Sequence, residues 1–216
     1  MSEKTALVLG ASGLIGSHLV ELLLQSPHYH RVTLLLRRPI ERTHPKLTQQ
    51  IIDFDHPNPA QVTGDDVFCC LGTTIKVAGS EEAFYKVDAT YPYALGKLAR
   101  QNGASQYLLV SALGADSKSS IFYNRVKGEA EQKIESLQFP TFVVFRPSLL
   151  LGNRREVRLG ERVAQGFSKI VAGLMVGSLK KYKPIQARKV AAAMVLAASQ
   201  RLSGKHVLES DALQTY

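Results

Sequence analysis

Seven short apolar runs punctuate the chain: 5–10 (TALVLG), 31–37 (RVTLLLR), 49–54 (QQIIDF), 66–72 (DVFCCLG), 106–112 (QYLLVSA), 141–147 (TFVVFRP) and 206–210 (HVLES). Most are unbroken rather than alternating with polar residues. An unbroken run is buried on both faces, as in a parallel sheet covered by helices. Between the runs, apolar residues recur at helical spacing and predict helices over 13–26, 81–102, 121–137, 159–173 and 186–200. Strands alternating with helices predict an α/β fold with a doubly wound, mainly parallel sheet. The length of 216 residues suits a single domain, 1–216. Within it, 150–185 reads as a small insertion against the carboxyl edge of the sheet, where such folds bind ligands.

The first strand hands over to the first helix through Gly10-Ala11-Ser12-Gly13-Leu14-Ile15-Gly16, a G-x-x-G-x-x-G pattern. A pyrophosphate needs to reach backbone N–H groups at a helix start, where the helix dipole favours negative charge. A Cβ at Gly10 or Gly13 obstructs the turn or that approach, and Gly16 lets helix and strand pack closely. A strand–helix glycine turn is common, but on the first strand of such a sheet it predicts a Rossmann-type dinucleotide site. About 20 residues further on, where NAD-selective sites carry a carboxylate for the ribose 2′-hydroxyl, this chain has Arg37 and Arg38. Guanidinium groups suit a 2′-phosphate, so the predicted cofactor is NADP(H). Asp53, ending the third strand, is placed to accept from the adenine amino group, though a turn residue there would look the same. Leu71, Gly72 and Thr73, leading into Thr74, form the next loop at the same edge and are expected over the adenosine and ribose.

Ser111 ends the fifth strand, and Tyr123 and Lys127 follow in YNRVK. Four residues apart, Tyr123 and Lys127 share one helix face. A free tyrosine titrates near ~10, too high for a base at neutral pH; a neighbouring ammonium lowers that value. The expected roles are Tyr123 as proton carrier, Lys127 as its electrostatic support and ribose ligand, and Ser111 as hydrogen-bond partner of a carbonyl or alcohol oxygen. Pro147, closing the sixth strand, is expected beside the nicotinamide. Asp88 reads equally as an orienting group or a helix-surface carboxylate, and Arg154, Arg155 and Arg158 as surface charge or an anion site.

Charge changes this picture little. Lys plus Arg is 27 against 18 Asp plus Glu, a net +9, which suits an anionic ligand; the basic residues are dispersed, and no nucleic-acid motif appears. Cys69 and Cys70 are neighbours, so a strand turns them to opposite faces and predicts two buried thiols. The six histidines have no metal-ligand spacing. No apolar run reaches membrane-spanning length, and the N-terminus lacks a signal-peptide pattern. Those readings predict no metal, no nucleic-acid or membrane partner, and a cytoplasmic location.

Residues 68–134 and 144–156, VFRPSLLLGNRRE, together with the glycine loop, resemble the atypical short-chain dehydrogenase/reductases. Within them the middle of the chain is similar to the Tat-interacting oxidoreductase-like subgroup, whose vertebrate members are described as NADPH-binding tumour suppressors. The resemblance implies a Rossmann fold, NADPH and a Ser–Tyr–Lys site matched to Ser111, Tyr123 and Lys127; it implies no particular substrate. The expected function is an NADP(H)-dependent oxidoreductase acting on a small carbonyl or alcohol. The alternatives are an NADPH-binding regulator with little turnover and a nucleotide-sugar epimerase, the latter disfavoured by the short stretch after the sixth strand.

Overall fold

The computed structural model describes residues 4–152, 177–200 and 202–216. Its strands in chain order are β1 (Lys4–Leu9), β2 (Tyr29–Leu36), β3 (Leu47–Ile51), β4 (Asp66–Cys69), β5 (Gln106–Val110), β6 (Thr141–Arg146), β7 (Leu150–Leu151), β8 (Ile185–Gln186) and β9 (Gly204–Glu209). Each of the seven apolar runs contributes one strand to a single sheet ordered β3-β2-β1-β4-β5-β6-β9. Every neighbouring pair in it is parallel. The order reverses between β1 and β4, and doubly wound sheets bind ligands in the crevice at that switch point. The pair β7–β8, two residues each, is too short for a periodicity argument to find.

The unbroken apolar runs are explained by cores on both faces. Ala6, Val8, Leu34, Phe68, Leu108 and Val143 pack on one side with Ile15, Leu19 and Leu23 of α1 (Leu14–Gln25) and with the alanine-rich helix Ala187–Ser199. Leu7, Leu9, Leu35, Val67, Tyr107 and Val144 face the other way, against Leu95, Ala99 and Ile134. Cys69 lies in the second core and Cys70 packs against the first, as neighbouring strand residues must. Cys69 is fully buried and Cys70 half-buried. Burial pushes both thiols up, away from thiolate chemistry.

The predicted helix 81–102 is continuous but not uniform. After the four-residue α2 (Ile75–Ala78) come α3 (Glu81–Tyr85), a π-helical turn Lys86–Thr90, and α4 (Tyr91–Gln101). Pro92 has no N–H and would clash with a carbonyl four residues earlier in a regular helix; a widened turn just before it relieves that conflict. Helix α5 (Phe122–Glu135) packs beside this turn, and Phe84, Ala89, Val126 and Ala130 close a small core between them. The predicted helix 159–173 and most of the predicted insertion 150–185, including Arg154, Arg155 and Arg158, lie outside the described residues.

Gly128 sets how closely α5 approaches the loop before it. A Cβ there would sit 2.1 Å from the Ser117 nitrogen and 2.3 Å from the Asp116 carbonyl carbon, both backbone. Neither neighbour can rotate away. Gly128→Ala is therefore expected to lower stability by about 1–3 kcal/mol, the usual cost of overpacking. It would appear as a lower Tm, and a Tm equal to the parent's would contradict the packing described.

Candidate functional site

The carboxyl ends of β1 and β4 meet at the glycine loop. Gly10 has φ +81°, and a Cβ there would fall 2.6 Å from the Cys70 carbonyl carbon. Gly16 is buried, and its Cβ would lie 2.1 Å from the Gly10 oxygen. Chain packing alone demands both glycines. Gly13 is different: it is exposed, its φ of −76° suits any residue, and the nearest atom to a Cβ would be the Gly10 oxygen at 3.3 Å. The space it leaves open faces outward, at the start of α1. No side chain caps that helix start, and its first turn holds no acidic residue. Its N–H groups and positive dipole end thus face a cradle that a Cβ would fill, which fits a pyrophosphate. Around it, Ala11 and Ile15 are buried, Ser12 is exposed, and Leu14 lies against Gly152 of the β7 strand end.

Arg37 and Arg38 follow β2 directly and are exposed, with no ion pair among the described residues. Asp53 follows β3. One of its oxygens accepts from the Asp55 N–H at 2.8 Å, and the other lies 3.1 Å from His56 Nδ1. The Asp55 hydrogen bond, then His56, hold its carboxyl below the ordinary value, so it stays an acceptor.

Lys127 is buried at this edge. Its Nζ lies 2.7 Å from Asp88 Oδ1, and both side chains are buried. The other Asp88 oxygen accepts from the Thr73 N–H at 2.8 Å. Gly72 passes beside the pair, where a Cβ would lie in ordinary contact, 3.4 Å from Asp88 Oδ1 and 3.6 Å from Lys127 Nζ. Leu71, Gly72 and Thr73 are thereby tied to the π-helical turn and to α5. Thr74 then caps α2, accepting from the Val77 N–H. Burial pushes the Lys127 ammonium down, but the Asp88 carboxylate and the Tyr123 phenol outweigh it, and the net shift is upward. Asp88 is thus no surface carboxylate; an acidic residue amid the apolar spacing of 81–102 was the available signal.

Tyr123, one turn before Lys127, is 38% exposed, and its ring lies 5.8 Å from that of Phe84. Its hydroxyl makes no hydrogen bond among the described residues. Ser111 points elsewhere. It is buried, and its hydroxyl donates to Glu131 Oε1 at 2.5 Å. Arg146 grips the same carboxylate, Nε to Oε1 at 3.0 Å and Nη2 to Oε2 at 2.6 Å. The hydrogen bonds to Glu131 hold Arg146 above its ordinary value. Glu131 and Arg146 were not anticipated, although Tyr123, Lys127 and Glu131 recur every fourth residue and so share one face of α5. The Pro147 carbonyl accepts from the Leu113 N–H at 2.9 Å, joining the ends of β5 and β6. Among the described residues no cluster of histidine, cysteine, aspartate and glutamate could hold a metal, and no helix is long and apolar enough to cross a membrane.

A family model described as NAD(P)H-binding matches residues 10–200, from the first glycine of the loop to the end of the helix Ala187–Ser199. The chain belongs to the NAD(P)H-binding family. Among curated members, Protein HTATIP2 of Rattus norvegicus is 40% identical over 173 residues, 77% of this chain and 71% of the relative. That similarity establishes the resemblance to the Tat-interacting oxidoreductase-like subgroup. Protein FMP52, mitochondrial, of Candida albicans is 32% identical over 206 residues, 92% of this chain and 89% of the relative. The fungal relatives are named as mitochondrial proteins, which overturns the expected cytoplasmic location. That expectation came from the absence of a targeting pattern, and an absence identifies no compartment. Among solved structures, MoeE5 in complex with UDP-glucose and NAD superposes with a TM-score of 0.73 at 19% identity, covering 94% of this chain and 75% of that one. UDP-glucose 4-epimerase of Thermotoga maritima gives a TM-score of 0.70 at 16% identity, over 95% and 76%. These two share the fold. The family's NAD(P)H-binding character therefore rests on the family model.

Asp88→Asn leaves a buried ammonium without its counter-charge, which costs about 3–5 kcal/mol. Asp88 raises Lys127, so the pair's contribution is complete below about 10.4, the ordinary lysine value, and is lost as pH rises through the raised one. In the variant the Asp88 carboxylate, the main influence opposing burial at Lys127, is gone. The stability gap between parent and variant, measured by urea unfolding, should therefore be wide at neutral pH and narrow in strong alkali; a pH-independent gap would contradict the pairing. Gly13→Val should fold, because its Cβ has only one close neighbour, and should lose dinucleotide binding. Gly16→Ala should instead lower Tm. Normal binding by folded Gly13→Val, followed by fluorescence titration, would refute the cradle.

Proposed function

We propose that the chain is an NADP(H)-dependent oxidoreductase that interconverts a carbonyl and an alcohol. The observation that supports this best is the buried Lys127 ammonium, kept charged by Asp88 and one helical turn from the accessible Tyr123. A fixed positive charge beside a phenol supports the negative charge that develops on its oxygen as the proton leaves. Tyr123 then passes a proton to or from the substrate oxygen. When bound, the nicotinamide supplies or accepts the hydride.

In this reading the remaining residues hold the dinucleotide. Gly10 to Gly16, through the main chain of Ala11, Ser12, Leu14 and Ile15, takes the pyrophosphate. Arg37 and Arg38 take the 2′-phosphate, Asp53 the adenine amino group, and Leu71, Gly72 and Thr73 the ribose side. Lys127 adds a ribose contact, and Pro147 borders the nicotinamide. Ser111 keeps its place near the substrate oxygen, with one restriction. Its own hydrogen goes to Glu131, so it meets that oxygen as an acceptor, which suits an alcohol.

That restriction also favours a second reading, an NADPH-binding regulator with little turnover, since a reductase gains from a second donor to the carbonyl. Tyr123→Phe separates the two. In an enzyme it should leave NADPH affinity nearly intact and cut turnover by roughly 10²–10⁴, the usual share of general acid–base catalysis. The assay is NADPH absorbance across a panel of aldehydes and ketones. Turnover by the variant at the parent's rate removes Tyr123 from the chemistry. NADPH binding without turnover of any carbonyl by the parent moves the regulator reading to first place.

A further inference from the structure

Gln49 occupies a position in β3 where the register sets it opposite Leu34 of β2, a core residue. On the same side of the strand, Leu47 packs against the apolar core. A carboxamide there is out of keeping with the strand's pattern. Its partners explain it. Gln49 Oε1 accepts from the Ile40 N–H at 2.9 Å, and its Nε2 donates to the Ile40 carbonyl and the Arg42 carbonyl, each at 3.0 Å. One acceptor and both amide hydrogens are thus engaged by the main chain of a single loop. The loop is tightened further by the Arg42 N–H donating to the Ile40 carbonyl at 2.8 Å, and the Ile40 side chain packs on the core.

This loop carries Arg37 and Arg38. On their amino side, the Leu36 carbonyl is fixed by the Ile52 N–H at 3.0 Å, at the strand end. On their carboxyl side, Ile40 is fixed by Gln49. Only Arg37, Arg38 and Pro39 lie between the two fixed points. The proline locks its own φ and restricts Arg38 to extended conformations. The backbone under the two guanidinium groups is therefore set before any ligand arrives.

We propose that Gln49 is a positioning residue for cofactor selectivity, holding the Arg37–Arg38 backbone where the guanidinium groups meet the 2′-phosphate of NADP(H). It rests on the reading of those arginines given above. Gln49 need not touch the dinucleotide; it acts by removing the ordering cost of the loop from the binding step. That gain is specific to the cofactor carrying the phosphate.

The test is cofactor affinity, which requires no substrate. Gln49→Met keeps the side chain's length, adds no charge and removes all three bonds to the loop. Kd values for NADPH and NADH are measured by fluorescence titration in the parent, Gln49→Met, Arg37→Ala/Arg38→Ala and the combined variant. The expected result is that Gln49→Met weakens NADPH about tenfold more than NADH, and that it causes no further loss of preference once both arginines are gone. Parallel weakening of both cofactors would mean a purely structural role and overturn the proposal, as would an unaltered preference. A parent that binds both cofactors alike, or an arginine variant that keeps the parent's preference, overturns the arginine reading and the clamp with it. If Gln49→Met does not fold, amide exchange on the parent decides: the Ile40 and Arg42 N–H groups should be protected already in the cofactor-free protein, and unprotected exchange there overturns the proposal.

Discussion

The ion pair between Lys127 and Asp88 is the constraint around which the carboxyl edge of the sheet is arranged. An isolated buried ammonium is costly, and here the compensation comes from a single carboxylate at 2.7 Å. Meeting that requirement fixes several other things. Helix α5 must lie with its Tyr123–Lys127–Glu131 face toward the strand ends. The π-helical turn must present Asp88 to it. The loop after β4 runs beside the pair at Gly72, and its next N–H satisfies the second carboxylate oxygen. One electrostatic demand thus links three segments far apart in sequence and settles where a phenol next to the charge can stand.

A second charged unit lies one turn deeper. Glu131 and Arg146 form a bidentate pair, and Ser111 adds its hydrogen to the same carboxylate. Lys127 and Glu131 therefore place opposite charges on one face of α5, each neutralised by a different partner. The arrangement gives the site two polarities: a positive group beside Tyr123 and a hydroxyl oxygen at Ser111 that offers lone pairs rather than a proton.

Much of this was legible in the chain. The seven strands and the parallel sheet follow from unbroken apolar runs, since few other contexts bury a strand on both faces. The glycine loop was legible because φ > 0 and close backbone approach have so few residue solutions. Yet the structure separates glycines that look alike in sequence: Gly10 and Gly16 serve the fold, and Gly13 opens the helix start. What stayed hidden were the partners of polar groups. That Asp88 pairs with Lys127, that Glu131 takes the Ser111 hydrogen, and that Gln49 holds Ile40 are long-range relations. Periodicity assigns such residues a face but no partner. The mitochondrial names among the fungal relatives mark another kind of limit, because compartment is carried by signals outside the logic of the fold.

The π-helical turn Lys86–Thr90 carries a consequence for how such chains can diverge. A widened turn amounts to one extra residue in an otherwise regular helix. Deleting any one residue of 86–90 would restore ordinary helical spacing and rotate the flanking segments by about 100° relative to each other. If α4 kept its seat on the sheet, Phe84 would leave its small core; if α3 kept its seat, the helix face packed by Leu95 and Ala99 would turn away. Substitutions along this helix can be absorbed one side chain at a time, whereas a change of length there cannot. Among related chains, the spacing from Gly72 to Pro92 should accordingly vary less than the residues that fill it.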